Sequence, residues 1–342
     1  MLCPRSPILV VTLILTAARV LAESLVPPVP HYQLSTSFFV PGDGGWDYVS
    51  VDGATRRLYV SHGDQIQVLD SDNGKQVGVI ANARGAHGVA FAQDLNLGFT
   101  SNGDAASVTV FDLQSLTPVK DIPVSEPDFI LYDPFTHRIF PFNETTTVID
   151  AKSLQTVGQL KLGGSPEGAV SDGDGRVFIN LEDKAAIAVI DPATLQVETT
   201  YPLGKCRSPH SLLYDSSHRR LFVGCENEFA VVDASSGKVV ATTLLCAGVD
   251  SGAFDAAHAL IFLSCAEGVV SVIRQLSADQ YQLADTIKTQ VWARTMAFDP
   301  ATMRMFLPVS DFEIVRGQAG SDGLFRSQRV PASFKILVLS RR

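Results

Sequence analysis

Tryptophan is scarce in this chain: Trp46 and Trp292 are the only two among 342 residues. Charge is thin as well, at 18% of residues against 46% hydrophobic. Lysine and arginine number 27 and the acids 36. An acidic surface repels phosphate backbones, which makes nucleic acid an unsuitable partner. Past residue 22 no apolar run is long enough to span a bilayer. Cysteine stops at five, without a Cys-x-x-Cys pair. A Gly-x-Ser-x-Gly elbow, a phosphate loop and His-Glu-x-x-His are also missing. Those absences remove the common motif-bearing hydrolases, nucleotide triphosphatases and metalloproteases, and leave any catalytic residues unknown.

The first 22 residues read as a signal peptide. Arg5 gives a positive start, and Ile8 to Ala18 is apolar but short for a bilayer. Val20 and Ala22 are small enough for cleavage before Glu23. An uncleaved anchor is the competing reading of the same segment. The mature chain, 23–342, is expected to be periplasmic or secreted, with no transmembrane segment. Losing Arg5 and Arg19 makes a formal charge of −9 more negative by two.

What the chain does have is a repeat. An aromatic residue closes the same short pattern at Tyr59, Phe99, Phe140, Phe178, Phe222, Phe262 and Phe306, at spacings of 38 to 44 residues. A period near 40 marks a β-propeller with one four-stranded blade per repeat. Seven anchors predict seven blades in one all-β domain. Asp52, Asp133, Asp215, Asp255 and Asp299 each end an innermost strand, A, and open a polar turn into the aromatic strand, B. A third strand ends at Asp70, Asp112, Asp150, Asp191 or Asp233, followed by a turn such as Ser71-Asp-Asn-Gly74 and an outer strand, D. These acids read as turn formers. The last repeat supplies only three strands. Tyr32 to Val40 reads as a D strand without a blade, so it is expected to pair with Ser333 to Leu339 and close the ring.

Leu58-Tyr59-Val60-Ser61 with Val68-Leu69-Asp70 resembles the repeat of the YVTN, or YncE-like, seven-bladed propellers of exported bacterial proteins. The resemblance covers about residues 32 to 340. It implies an exported propeller and supplies no catalytic residues to carry over. WD-repeat and pyrroloquinoline-quinone propellers fit less well, because Gly-His…Trp-Asp pairing is missing.

Five residues before the end of each A strand stand Asp47, His87, Asp128, Glu167, His210, Asp250 and Arg294. All seven are charged or histidine. They fall at the start of the innermost strand, so they are expected to ring one mouth of the central channel as a ligand-binding set. A solvated mouth also favours polar residues without any ligand. Arg294 between Asp250 and Asp47 suits a structural ion cluster. The remaining arc, His87, Asp128, Glu167 and His210, offers two imidazoles and two carboxylates. That set suits a divalent metal ion, or a general acid and base.

Residues 309–331 form a long insertion between the B and C strands of blade seven. That connection shares a face with the start of strand A, so the insertion reads as a lid or as a passive excursion. His62, His137, His218 and His258 read as solvent-facing. Cys206 and Cys246, like Cys225 and Cys265, are repeat-equivalent, 40 residues apart. In an oxidising compartment the expected disulfides are Cys206–Cys225 and Cys246–Cys265.

Two functions from different classes follow. One is an exported binding module that engages a protein, glycan or small ligand at the channel mouth. The other is a metal-dependent hydrolase or lyase using the His87/Asp128/Glu167/His210 arc, by fold-level analogy with lactonase and lyase propellers. The missing catalytic signature favours binding.

Overall fold

Aspartate turns cut the chain at regular intervals. Asp52 accepts hydrogen bonds from Ala54 N at 3.0 Å and Thr55 Oγ1 at 2.6 Å. Asp133, Asp215, Asp255 and Asp299 hold their turns in the same way. After the third strands, Asp70, Asp112, Asp150, Asp191 and Asp233 each accept backbone N–H groups two and three residues ahead. An ionised carboxylate is a strong acceptor for these otherwise orphan donors, so the acids are spent on turns. Gly237 takes the left-handed conformation that ends one such turn, and a Cβ there would lie 2.1 Å from the Tyr201 ring of the preceding blade.

The structure, a computed structural model, describes residues 29–319 and 325–342; the expected signal peptide at 1–22 lies outside them. Residues Tyr32–Arg342 form a compact unit of seven four-stranded antiparallel sheets plus a two-stranded one. The chain is a seven-bladed β-propeller. Blade one is Trp46–Asp52, Arg57–His62, Gln65–Asp70 and Gln76–Ile80, in A to D order. Blade seven orders Ala297–Asp299, Arg304–Val309, Lys335–Arg341 and Tyr32–Phe39. The N-terminal strand pairs from Tyr32 opposite Arg341 to Phe39 opposite Lys335.

Strands B and C lie inside, and strands D face solvent. Val177–Leu181 is buried throughout, whereas Gln196–Pro202 is mostly exposed. All seven aromatic anchors are fully buried. They join neighbouring blades: Tyr59 meets Phe91 at 5.0 Å, Phe222 meets Phe254 at 5.0 Å and Phe262 meets Phe298 at 5.1 Å. Each pair sets a B-strand ring against the A strand of the next blade, so the repeated aromatic is what holds the ring together.

The disulfides Cys206–Cys225 and Cys246–Cys265 are both formed, with Cα separations of 5.5 and 6.0 Å. Among the described residues no helix is long and apolar enough to cross a membrane. The insertion in blade seven is built as a hairpin, Phe312–Ala319 with Phe325–Arg329.

Candidate ligand site at the channel mouth

Four blades begin with a β-bulge. The A–B register slips between Trp46 and Val49, Ala86 and Val89, Pro166 and Ala169, and Val249 and Ser251. Those slips contain Asp47, His87, Glu167 and Asp250. A bulge breaks the ladder and re-aims the side chain, and the freed backbone groups need new partners. In blades one, two and six a serine of strand B, two residues after the aromatic anchor, supplies one. Ser61 Oγ accepts from Asp47 N at 2.9 Å and donates to Tyr48 O at 3.0 Å. Ser101 Oγ accepts from Gly88 N at 3.1 Å. Ser264 Oγ lies within hydrogen-bond reach of Ser251 O in its own blade and Arg294 O in the next, and Asn180 Nδ2 reaches across to the next blade, donating to His210 O and Ser211 O. All four side chains are buried. Ser, Ser, Asn and Ser at one repeat position are a signal the sequence carried, hidden because strand B otherwise reads as plain apolar core.

The seven rim positions fall into two clusters. His87 Nδ1 lies 2.7 Å from Asp47 Oδ2 and 3.2 Å from Asp128 Oδ1. His210 Nδ1 lies 3.5 Å from Glu167 Oε2 and 3.8 Å from Asp250 Oδ1, and its Nε2 is 3.7 Å from Glu182 Oε1. Arg294 Nε contacts Asp250 Oδ2 at 3.0 Å. His87 and Asp128 are thus joined by Asp47, and Glu167 and His210 by Asp250. Asp47 serves His87, where the ion cluster expected from the sequence had set it beside Arg294. Sequence reasoning did not select Glu182, which comes from the turn after strand B of blade four.

It also passed over Tyr48 and Phe129, the residues after Asp47 and Asp128. Their equivalents are Gly88, Gly168, Ser211, Ser251 and Thr295. Five small residues leave room for two rings, and Tyr48 and Phe129 meet edge-on at 5.5 Å. A Cβ on Gly168 would lie 2.3 Å from His210 O, so that position requires glycine. A cavity of about 540 Å³ opens beside them, running from His210 and Asp250 past Leu212 and Tyr214 to Phe254.

Elsewhere His137, His218 and His258 hold turn positions with Asp94, Asp215 and Asp255. His62 differs from expectation. It is 2% exposed, packs against Phe334 with ring centres 4.2 Å apart, and burial lowers its imidazole below the ordinary value. The insertion hairpin reaches the same face. Phe312 contacts Trp46 at 6.3 Å and Trp292 at 6.4 Å, and Arg329 lies over the Trp46 ring.

The electrostatics follow from this crowding. The Asp47 hydrogen bond raises the His87 imidazole above its ordinary value, and the Glu167 carboxylate does the same for His210. Burial pushes the Asp250 carboxyl up, against the pull of Arg294. Burial raises the Tyr48 phenol well above its usual value, and Asp47, Asp250, Glu167 and Asp128 add to it. Burial pushes Asp128 up to about 6, against the pull of His87. Ionised Asp128 is therefore disfavoured by the fold. That burden is full above about pH 6 and is relieved as pH falls towards the ordinary carboxylate value near 4. In metal-free protein, Asp128→Asn is expected to raise the melting temperature at about pH 7.5 and to lose that gain by about pH 4. Thermal unfolding at both pH values checks this, and an unchanged or lower melting temperature at the higher pH refutes it.

Asp47, His87 and Asp128 offer three ligand atoms within 4.8 Å of one another. One imidazole with two carboxylates suits a divalent transition metal.

No protein-family model matches the chain, and no curated protein matches it. Solved structures do. A chain of Kuenenia stuttgartiensis hydrazine synthase superposes with a TM-score of 0.68 at 14% identity, covering 85% of this chain and 97% of that one. A chain of the mitotic checkpoint complex gives 0.70 at 13% identity, covering 96% and 97%. At these identities the likeness is one of fold.

Proposed function

We propose that this chain is an exported binding module of the YncE-like, YVTN type, and that it engages its ligand at the channel mouth. One observation carries the reading. Seven repeat-equivalent positions gather Asp47, His87, Asp128, Glu167, His210, Asp250 and Arg294 into two clusters, and two of them, His210 and Asp250, line a cavity of about 540 Å³. Pockets of this size, mostly apolar with a few convergent polar groups, are where small ligands bind. Bulges that re-aim rim side chains cost ladder hydrogen bonds, and their recurrence in four blades supports a role for those side chains. Two disulfides agree with an oxidising compartment. Soaking crystals with a chemically diverse fragment set is expected to fill the mouth. Fragments found only on other faces would overturn the reading.

The Asp47–His87–Asp128 donors favour a second reading, a metal-dependent hydrolase or lyase. A bound metal there would polarise a substrate oxygen or acidify a water. The expected result is Zn²⁺ binding by the wild type at micromolar levels in calorimetric titration, lost in His87→Ala with the fold intact. If the wild type takes up no divalent metal, this second reading falls.

A further inference from the structure

We propose that the channel takes a small organic cation, an ammonium joined to an apolar body, with the charge among the mouth carboxylates and the body against Tyr48 and Phe129. This deepens the mouth-binding reading and rests on it.

Charge comes first. Five carboxylates gather at the mouth, Asp47, Asp128, Glu167, Glu182 and Asp250. Facing them are one guanidinium, Arg294, and two imidazoles, His87 and His210. Even with both imidazoles protonated the carboxylates outnumber the cations. An anionic ligand would add to that excess. A neutral apolar ligand would strip water from the carboxylates and return no hydrogen bond. An ammonium supplies both the charge and the donors.

Unfilled bonding capacity comes second. Asp250 Oδ2 is a buried atom without a hydrogen bond, and its one ion contact is Arg294 Nε at 3.0 Å. Asp250 lines the cavity. Buried polar groups left unpaired are costly, and a donor entering the cavity reaches Asp250 directly.

The walls come third. Below the mouth carboxylates the cavity is walled by Phe129, Leu212, Tyr214 and Phe254, with Tyr48 also lining it and the Asp215-Ser216-Ser217 turn at its other end. An aromatic face attracts a cation lying over it, and the apolar stretch beneath suits a hydrocarbon body. A bare divalent ion would use the Asp47–His87–Asp128 group and leave this cavity empty.

Three probes that differ mainly in charge test the proposal: 2-phenylethylamine, 2-phenylethanol and 3-phenylpropionate, titrated calorimetrically at low ionic strength. The amine is expected to bind saturably, the alcohol about tenfold or more weaker, and the carboxylate not at all. Glu167→Gln and Asp250→Asn are each expected to weaken the amine about tenfold and the alcohol by clearly less. Tyr48→Leu should weaken both. Circular dichroism establishes that each variant is folded, and the comparison of probes on wild type needs no variant. Equal affinity for alcohol and amine, or tighter binding of the carboxylate, overturns the cation class. So does failure of all three probes. If fragment soaking still fills the mouth in that case, only the ligand class falls; if the mouth stays empty there too, the binding reading falls with it.

Discussion

A chain without residues 32–40 is expected to lose its cooperative thermal transition and to associate in solution. The segment contributes the whole outer strand of blade seven, paired from Tyr32–Arg341 to Phe39–Lys335, and Val40 N donates to Phe334 O at 3.1 Å. Tyr32, Phe38 and Val40 are buried at 6%, 7% and 0% exposure. Burying a large apolar side chain is worth about 1.5–3 kcal/mol, so the three together supply about 4.5–9 kcal/mol. Whole-domain stability is typically only about 5–15 kcal/mol. The deletion also uncovers the C strand Lys335–Arg341 as a free edge, open to pairing with other chains. Circular dichroism melts and size-exclusion chromatography check the outcome. A monomer that melts at the wild-type temperature would refute the closure account.

Opening both disulfides is the second large change. Each joins the approach to an A strand with the region where strand B ends, across 19 residues. Closing a loop of that length removes about 3 kcal/mol of unfolded-state entropy. The bridges sit in successive blades, and Cys206–Cys225 packs in a different apolar cluster from Cys265. Their effects should therefore add to about 6 kcal/mol. Cys225→Ser and Cys265→Ser, singly and together, are to be compared by chemical denaturation. Peptide mapping without reduction is expected to recover 206–225 and 246–265. A 225–246 link, or four free thiols, would contradict the structure.

Fold was legible in the sequence because one physical requirement repeats. Each blade needs a ring on strand B to meet the next blade, and Tyr59, Phe99, Phe140, Phe178, Phe222, Phe262 and Phe306 meet it where the spacing put them. The rim was legible for the same reason, since a fixed offset from a turn aspartate is a fixed height along the channel. What the offset does not carry is rotation. The pairing itself is set by side-chain placement at that height: His87 faces Asp47 as well as Asp128, and His210 faces Asp250 as well as Glu167. Glu182 was out of reach because it arrives from another strand's turn. Tyr48 and Phe129 read as ordinary strand residues, and only the glycines and serines at their equivalent positions mark them as reaching into the channel.

The strand that seals the ring is made well before the strand it pairs with. Its partner, Lys335–Arg341, follows roughly 300 residues later. At synthesis rates of about 5–20 residues per second, Tyr32–Phe39 waits roughly 15–60 s with its backbone groups unpaired. The blades between them can form in that interval, but the circle is completed only when Lys335–Arg341 is made. A chain that stops short of Lys335–Arg341 therefore leaves Tyr32–Phe39 and Arg304–Val309 with unpaired edges, open to pairing with other chains.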